Sequence, residues 1–408
     1  MKTSREACIS VVTSCSCDTY CGKPPCRLAG MKRVELVYCD AGGGHRSAAN
    51  ALCEVARRER RPWSVTMTNP LELFAPLDFW RRVTGVSVEE GYNGMLRRGW
   101  TFGSPAMLRV MHSVIRRHHK SQVRLLEKHW QKNRPDVVVS LIPHFNRSIH
   151  EAMQRVMPGV PLVTILTDLA DYPPHFWIEE RQDQYFVCGT PLAHKQALDA
   201  GHPVERVFQT SGMILNPRFY DPAAPRDAAD RARLGLDASL PTAMMMFGGA
   251  GSASMRTIAR LLNESDLPVQ IIAVCGKNDR LEAALRSMPK RVPMHVTGFT
   301  PDIARLMRLS DFFIGKPGPG SISEAISMGL PVIIERNSWT MPQERYNAEW
   351  VEACGFGIAI RSIRRDIVNA VAAMVDPIER GLFVERVNAY QNQAVFEIPQ
   401  ILDRILSA

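Results

Sequence analysis

The sequence predicts an α/β fold made of two Rossmann-like domains whose parallel sheets face each other across a cleft. Three observations predict it. From residue 31 onward, short β-branched runs alternate with stretches of helical spacing. A glycine turn follows the first strand of each half, at 42–44 and again at 248–251. A proline-rich polar stretch, 216–225, separates the halves as a linker would. With 408 residues, 45% hydrophobic and 22% charged, the chain has room for two or three domains. Its composition excludes wholesale disorder and collagen-like repetition. No apolar run approaches the ~20 residues of a membrane-spanning helix.

The expected division is a disordered tail over 1–30, a first Rossmann-like domain over 31–215, a second over 216–385, and a C-terminal helix over 386–408 packing back on the first domain. The tail carries Cys8, Cys15, Cys17, Cys21 and Cys26. It has no paired C-x2-C and no nearby His, so a metal site is disfavoured. It also lacks the apolar core of an export signal, and Met31 is read as the effective start. The other five cysteines are scattered singly and read as reduced cytosolic thiols.

In the first half, a strand over 34–39 runs into Asp40-Ala41-Gly42-Gly43-Gly44-His45. From Ser47, the apolar positions Ala48, Ala49, Ala51, Leu52, Val55 and Ala56 have helical spacing. Further strands are expected at 64–68, 137–141, 162–167, 184–187 and 206–209. The second half repeats the plan, with strands at 242–247, 269–275, 295–297, 312–314 and 332–334.

The loop Gly42-Gly43-Gly44 fits neither the dinucleotide fingerprint nor the P-loop. It is a glycine turn at a helix N-terminus, which brings bare N–H groups close to an anionic or polar ligand. His45 at its tip could take a proton near neutral pH, or be a surface histidine on a tight turn. Gly248, Gly249 and Gly251 form a second such loop, with close helix–strand packing as the alternative. The most specific stretch is Gly315-Lys316-Pro317-Gly318-Pro319-Gly320-Ser321-Ile322-Ser323-Glu324-Ala325. A helix is expected to begin near Ser321, with Glu324 in its first turn. There Glu324 could accept the two hydroxyls of a ribose or reach back to Ser321 in a capping box, and spacing leaves both open. Gln343, Glu344 and Asn347 follow the strand 332–334 and suit a polyhydroxylated ligand. The chain contains no D-x-D and no catalytic-zinc spacing.

Together these motifs resemble the monogalactosyldiacylglycerol synthase family, whose relatives include bacterial diacylglycerol glucosyltransferases and the peptidoglycan N-acetylglucosaminyltransferase. The resemblance rests on 39–48, 316–325 and Pro342-Gln343-Glu344 with Asn347. It extends to Tyr92-Asn93, to Arg98-Gly99-Trp100, to 167–177 (Thr167-Asp168 through Phe176-Trp177), and to 211–220. It implies a GT-B fold and an inverting, metal-independent transfer of galactose or glucose from UDP-galactose or UDP-glucose to diacylglycerol or a similar lipid hydroxyl, with no cofactor. By that likeness, the first domain takes the acceptor and the second the donor. His45 is the base or its close helper, with Asp40 orienting the loop 42–44. Gly248, Gly249 and Gly251 line the diphosphate region and Phe299 lies near the uracil. Gly320 and Ser321 face the phosphates, and Glu324 the ribose. Gln343, Glu344 and Asn347 hold sugar hydroxyls. The loop Gly-Gly-Ala-Gly-Ser departs from the more glycine-rich version of relatives.

Charge bears on the acceptor side. Residues 31–135 hold 19 Lys/Arg against 9 Asp/Glu, and this excess accounts for the whole net charge of +9. The stretch 105–130 mixes apolar residues with Arg109, Arg116, Arg117 and Lys120. Such a segment can lie on an anionic membrane surface, here expected to be the cytoplasmic inner face, or be a surface helix whose apolar side is core. Two other readings are a UDP-sugar epimerase of the same two-domain plan and a nucleic-acid-binding protein. Nucleic acid is not the expected partner, because stacking aromatics and a recognised module are missing.

Overall fold

A computed structural model describes residues 30–40, 43–77, 113, 115–221, 228–289, 291–337 and 340–408. Gly42, Arg109, the cysteines of the tail, the motifs at 92–93 and 98–100, and the prolines of 222–225 lie outside the described residues. The compact unit is Lys32–Ala408.

That unit carries two six-stranded sheets in which every neighbouring pair is parallel. The first contains β1 (Lys32–Val37), β2 (Trp63–Thr68), β3 (Val137–Ser140), β4 (Leu162–Ile165), β5 (Tyr185–Cys188) and β6 (Val207–Gln209), in the order β2-β1-β3-β4-β5-β6. The second contains β7 (Thr242–Met246), β8 (Gln270–Val274), β9 (Met294–Thr297), β10 (Phe312–Gly315), β11 (Val332–Glu335) and β12 (Gly357–Ile360), in the order β12-β11-β10-β7-β8-β9. The expected α/β class, two Rossmann-like lobes of the GT-B kind, is the one found. β12 was not anticipated: its Gly-Ile-Ala-Ile run is short and its edge pairing with β11 supplies what its propensity lacks.

Strands such as β3, β4, β7 and β8 are buried at every position because helices cover both faces of a parallel sheet. Core residues lie on both sides of the second sheet, one side around Met245, Ile271 and Ile367 and the other around Met244, Phe313 and Ile322. A buried Glu35 within β1 is tolerated because His129 Nε2 lies 2.7 Å and Trp130 Nε1 3.0 Å from its carboxylate oxygens.

The strand orders locate the crevice. In the first sheet the order reverses between β1 and β3, and in the second between β7 and β10. Ligands of open parallel sheets bind beyond the carboxyl ends of the strands at such points. The loops leaving β1, β7 and β10 are the three glycine loops picked out in the sequence.

Two helix starts differ from expectation. The helix Gly44–Arg58 begins three residues before Ser47, because Gly43 at φ 83° turns the chain and its carbonyl accepts from Ser47 N at 3.1 Å. His45 is therefore in the first helical turn. The helix Pro319–Ser327 begins two residues before Ser321, with proline at its first position, so Glu324 falls in the second turn. The helix His119–Lys132 buries Gln122, Val123, Leu126 and Trp130, so over this stretch the apolar side is core, the plainer of the two sequence readings. Arg116, Arg117 and Lys120 are exposed.

The chain closes by crossing back. In the terminal helix Ala394–Ser407, Val395, Ile398, Ile401, Leu402 and Ile405 join the core of the first lobe with Leu36, Leu52 and Val139. Conversely, Leu169 and Met213 from the first lobe sit in the core of the second.

Candidate active site

The carboxyl ends of both sheets bring the site together. On the first lobe, His45 Nδ1 lies 2.9 Å from Thr167 Oγ1, just past β4. The imidazole packs 5.9 Å from the Trp177 ring, centroid to centroid. Burial pulls its pKa from 6.5 down to about 4, with the Leu141 carbonyl past β3 pulling the other way. His45 is neutral at pH 7 and keeps a lone pair. Asp40, at the end of the same β-loop, pairs through both oxygens with Arg46, whose guanidinium also lies 4.7 Å above the Tyr38 ring. The carboxylate thus ties the two ends of the 42–44 turn together.

Asp168, next to Thr167, accepts a hydrogen bond from Trp177 Nε1 at 2.9 Å. Its carboxyl is pushed up to about 7, first by burial and then by the negative charge of Glu344; Trp177 N–H and Lys316 act in the opposite sense. Glu344 and Lys316 belong to the second lobe, so Asp168 is where the lobes feel each other's charge. Trp177 is held in turn by Asp171, whose carboxylate accepts from His175 N at 2.9 Å and Trp177 N at 2.6 Å.

On the second lobe, Lys316 Nζ is 3.0 Å from Glu344 Oε1. Its stem runs between two glycine loops: a Cβ on Gly248 would lie 3.4 Å, and one on Gly318 3.2 Å, from Lys316 Cε. Gly251 holds φ +61°, and a Cβ there would meet Leu281 Cδ2 at 2.7 Å and the Cys275 carbonyl oxygen at 2.8 Å. Gly249, Gly320 and Gly44 have open space where a side chain would stand. The first N–H groups of the helix Pro319–Ser327, those of Gly320 and Ser321, have no intrahelical acceptor by helix geometry and are available to an anion.

Ser321 Oγ donates to the Gly318 carbonyl at 3.3 Å, and the capping box with Glu324 is not formed. Among the described residues, the Glu324 carboxyl has no hydrogen bond or ion pair, and burial raises it to about 7. Gln343 Oε1 and Asn347 Oδ1 are buried without partners. Asn347 donates through Nδ2 to the Pro317 carbonyl at 2.7 Å and is fully buried, which places it beneath the glycine–proline loop as a support. Phe299 is 64% exposed, with Lys277 Nζ 5.3 Å from its ring centroid.

Residues 45–213, beginning at His45, match the monogalactosyldiacylglycerol (MGDG) synthase family. Residues 244–400 match the glycosyltransferase family 28 C-terminal domain. The chain is a glycosyltransferase related to the MGDG synthases. Monogalactosyldiacylglycerol synthase 1, chloroplastic, of Arabidopsis thaliana is 27% identical over 386 residues, covering 90% of this chain and 70% of that protein. Among solved structures, MurG of Acinetobacter baumannii superposes with a TM-score of 0.60 at 12% identity over 91% of this chain and 99% of its own. A UDP-N-acetylglucosamine 2-epimerase gives 0.56 at 14% identity, covering 91% and 96%. The last two show the fold; the sequence relatives separate transferase from epimerase.

In this chain the sequence motifs include Thr167, Asp168, Trp177, Lys316 and Arg46 but assign none of them a role of its own. The available signal for Asp168 was its position, a carboxylate immediately past a buried parallel strand. For Lys316 it was a cation inside a run of glycines and prolines.

Proposed function

We propose that this glycosyltransferase moves galactose or glucose from UDP-galactose or UDP-glucose to diacylglycerol or a similar lipid hydroxyl, with inversion and without a metal or other cofactor. In this reading residues 31–215 take the acceptor and 216–385 the donor. The observation that carries it is that the first lobe matches the MGDG synthase family over residues 45–213 and the second the glycosyltransferase family 28 C-terminal domain over residues 244–400, with the glycine loops of both lobes at the carboxyl ends of their sheets. The neutral imidazole of His45 serves as base or close helper to the acceptor hydroxyl. The oxygen attacks the anomeric carbon, and UDP leaves from the opposite face. Helix N–H groups of Gly320 and Ser321, the backbone of Gly248, Gly249 and Gly251, and the cation of Lys316 offset the charge on the leaving diphosphate. The unpaired Glu324 suits the ribose hydroxyls, exposed Phe299 the uracil, and Gln343 and Glu344 the sugar hydroxyls.

No helix among the described residues is long and apolar enough to cross a membrane. The proposed route to the lipid is from the inner face of the cytoplasmic membrane, with Arg116, Arg117 and Lys120 drawn by anionic lipid at about 1 kcal/mol per nearby cation. The test is transfer of labelled hexose from each donor into an organic-extractable product, in the presence of EDTA. A β-linked product from an α-linked donor is expected. Sugar isomerisation without an acceptor would establish the epimerase reading in its place.

A further inference from the structure

We propose that Asp168 takes the proton of the acceptor hydroxyl, with His45 orienting that hydroxyl beside it; the inference rests on the transferase reading above. Three features of the geometry carry it. First, Asp168 stands just beyond the carboxyl end of β4, in the crevice where the two sheets meet. Second, Trp177 Nε1 occupies Oδ2 at 2.9 Å, while among the described residues no hydrogen bond is made to Oδ1. One oxygen is fixed and the other is left to a ligand. Third, the residue lies between the two halves of the chemistry. Its chain neighbour Thr167 holds His45 Nδ1 at 2.9 Å, and the charges acting on it from across the crevice are Lys316 and Glu344, beside the glycine loop that faces the donor.

Basicity agrees with placement. The groups facing Asp168 are Glu344 and Lys316 from the second lobe, and Asp171 and Trp177 from its own. Burial and the two carboxylates outweigh the lysine and the indole, and the carboxyl titrates at about 7. His45 titrates at about 4. At neutral pH the carboxylate is the stronger base of the two and a substantial fraction of it is ionised. In the step itself, the acceptor O–H bond breaks and its proton passes to Asp168 Oδ1. The freed oxygen electron pair forms the bond to the anomeric carbon. The bond from that carbon to the diphosphate oxygen breaks with its electron pair leaving on UDP. Asp168 then returns the proton to water.

The experiment uses the full chain with labelled UDP-hexose and diacylglycerol in vesicles of phosphatidylcholine and phosphatidylglycerol. Asp168→Asn is expected to lower kcat at least 100-fold while leaving the UDP Kd within threefold, and Asp168→Glu to recover part of the loss. Trp177→Phe removes the N–H that favours the ionised carboxyl, so the acid limb of the kcat/KM profile should move to higher pH by about one unit. His45→Ala should lower the rate without moving that limb. The proposal is overturned if Asp168→Asn keeps kcat within threefold of wild type, or if His45→Ala abolishes the acid limb while Asp168→Asn retains it. If Asp168→Asn does not fold, the Trp177→Phe limb decides, and an unmoved limb overturns the proposal. A wild-type protein that transfers no hexose from either donor would instead remove the transferase reading on which it rests.

Discussion

At the scale of single residues, the crevice sorts its ionisable groups by environment. Burial lowers His45 and raises Asp168 and Glu324, so at pH 7 the histidine is neutral and both acids titrate at about 7. His45→Ala should cut turnover by at least two orders of magnitude while UDP binds within threefold of wild type, as measured by single-turnover kinetics and calorimetry. Glu324→Ala should weaken UDP by about 1–3 kcal/mol, the loss of a hydrogen bond to a charged group. Equal affinity would remove Glu324 from the ribose. A pH effect on stability follows from His45 as well. The unfolded ring takes its proton near 6.5 and the folded one near 4, so its contribution is complete above pH 6.5 and lost as pH falls toward 4. Urea midpoints across that window should fall less in His45→Gln than in wild type. Glu324 and His45 were legible in the sequence because glycine loops framed them. Asp168 was not, because its surroundings come from Trp177 nine residues on and from Glu344 in the other lobe.

At the scale of elements, the three glycine loops follow β1, β7 and β10, the strands that flank the two reversals of sheet order. Strand positions were readable because buried parallel strands announce themselves as short β-branched runs. Helix starts were less so. Gly43 supplies a left-handed turn and Pro319 a ready-made first turn, and both moved the start toward the crevice. Gly251→Ala should destabilise the protein by about 1–3 kcal/mol through its positive φ, and under the proposed donor site UDP affinity should fall with it. Gly249→Ala, with open space at the Cβ position, should leave the melting temperature of the free protein near wild type.

At the scale of the whole molecule, the lobes are tied by exchange. The terminal helix Ala394–Ser407 completes the first lobe, Leu169 and Met213 complete the core of the second, and Asn392 Nδ2 donates to the Met213 carbonyl at 3.0 Å at the crossing. Ile398→Ala, deep in the first-lobe core, should cost about 2–5 kcal/mol in urea denaturation although it is more than 180 residues from the nearest strand of that lobe in sequence. Such a contact leaves no local mark on the sequence, which is why a C-terminal helix packing back on the first lobe was expected but the individual residues it meets were not. The proposed transfer requires two parallel-sheet lobes that hold uridine diphosphate in the crevice through peptide dipoles and a lysine. Titration calorimetry of UDP into the full chain, with EDTA present, tests it most directly. A single saturable site per chain that weakens in Glu324→Ala is the predicted result, and no heat of binding at millimolar nucleotide would contradict it.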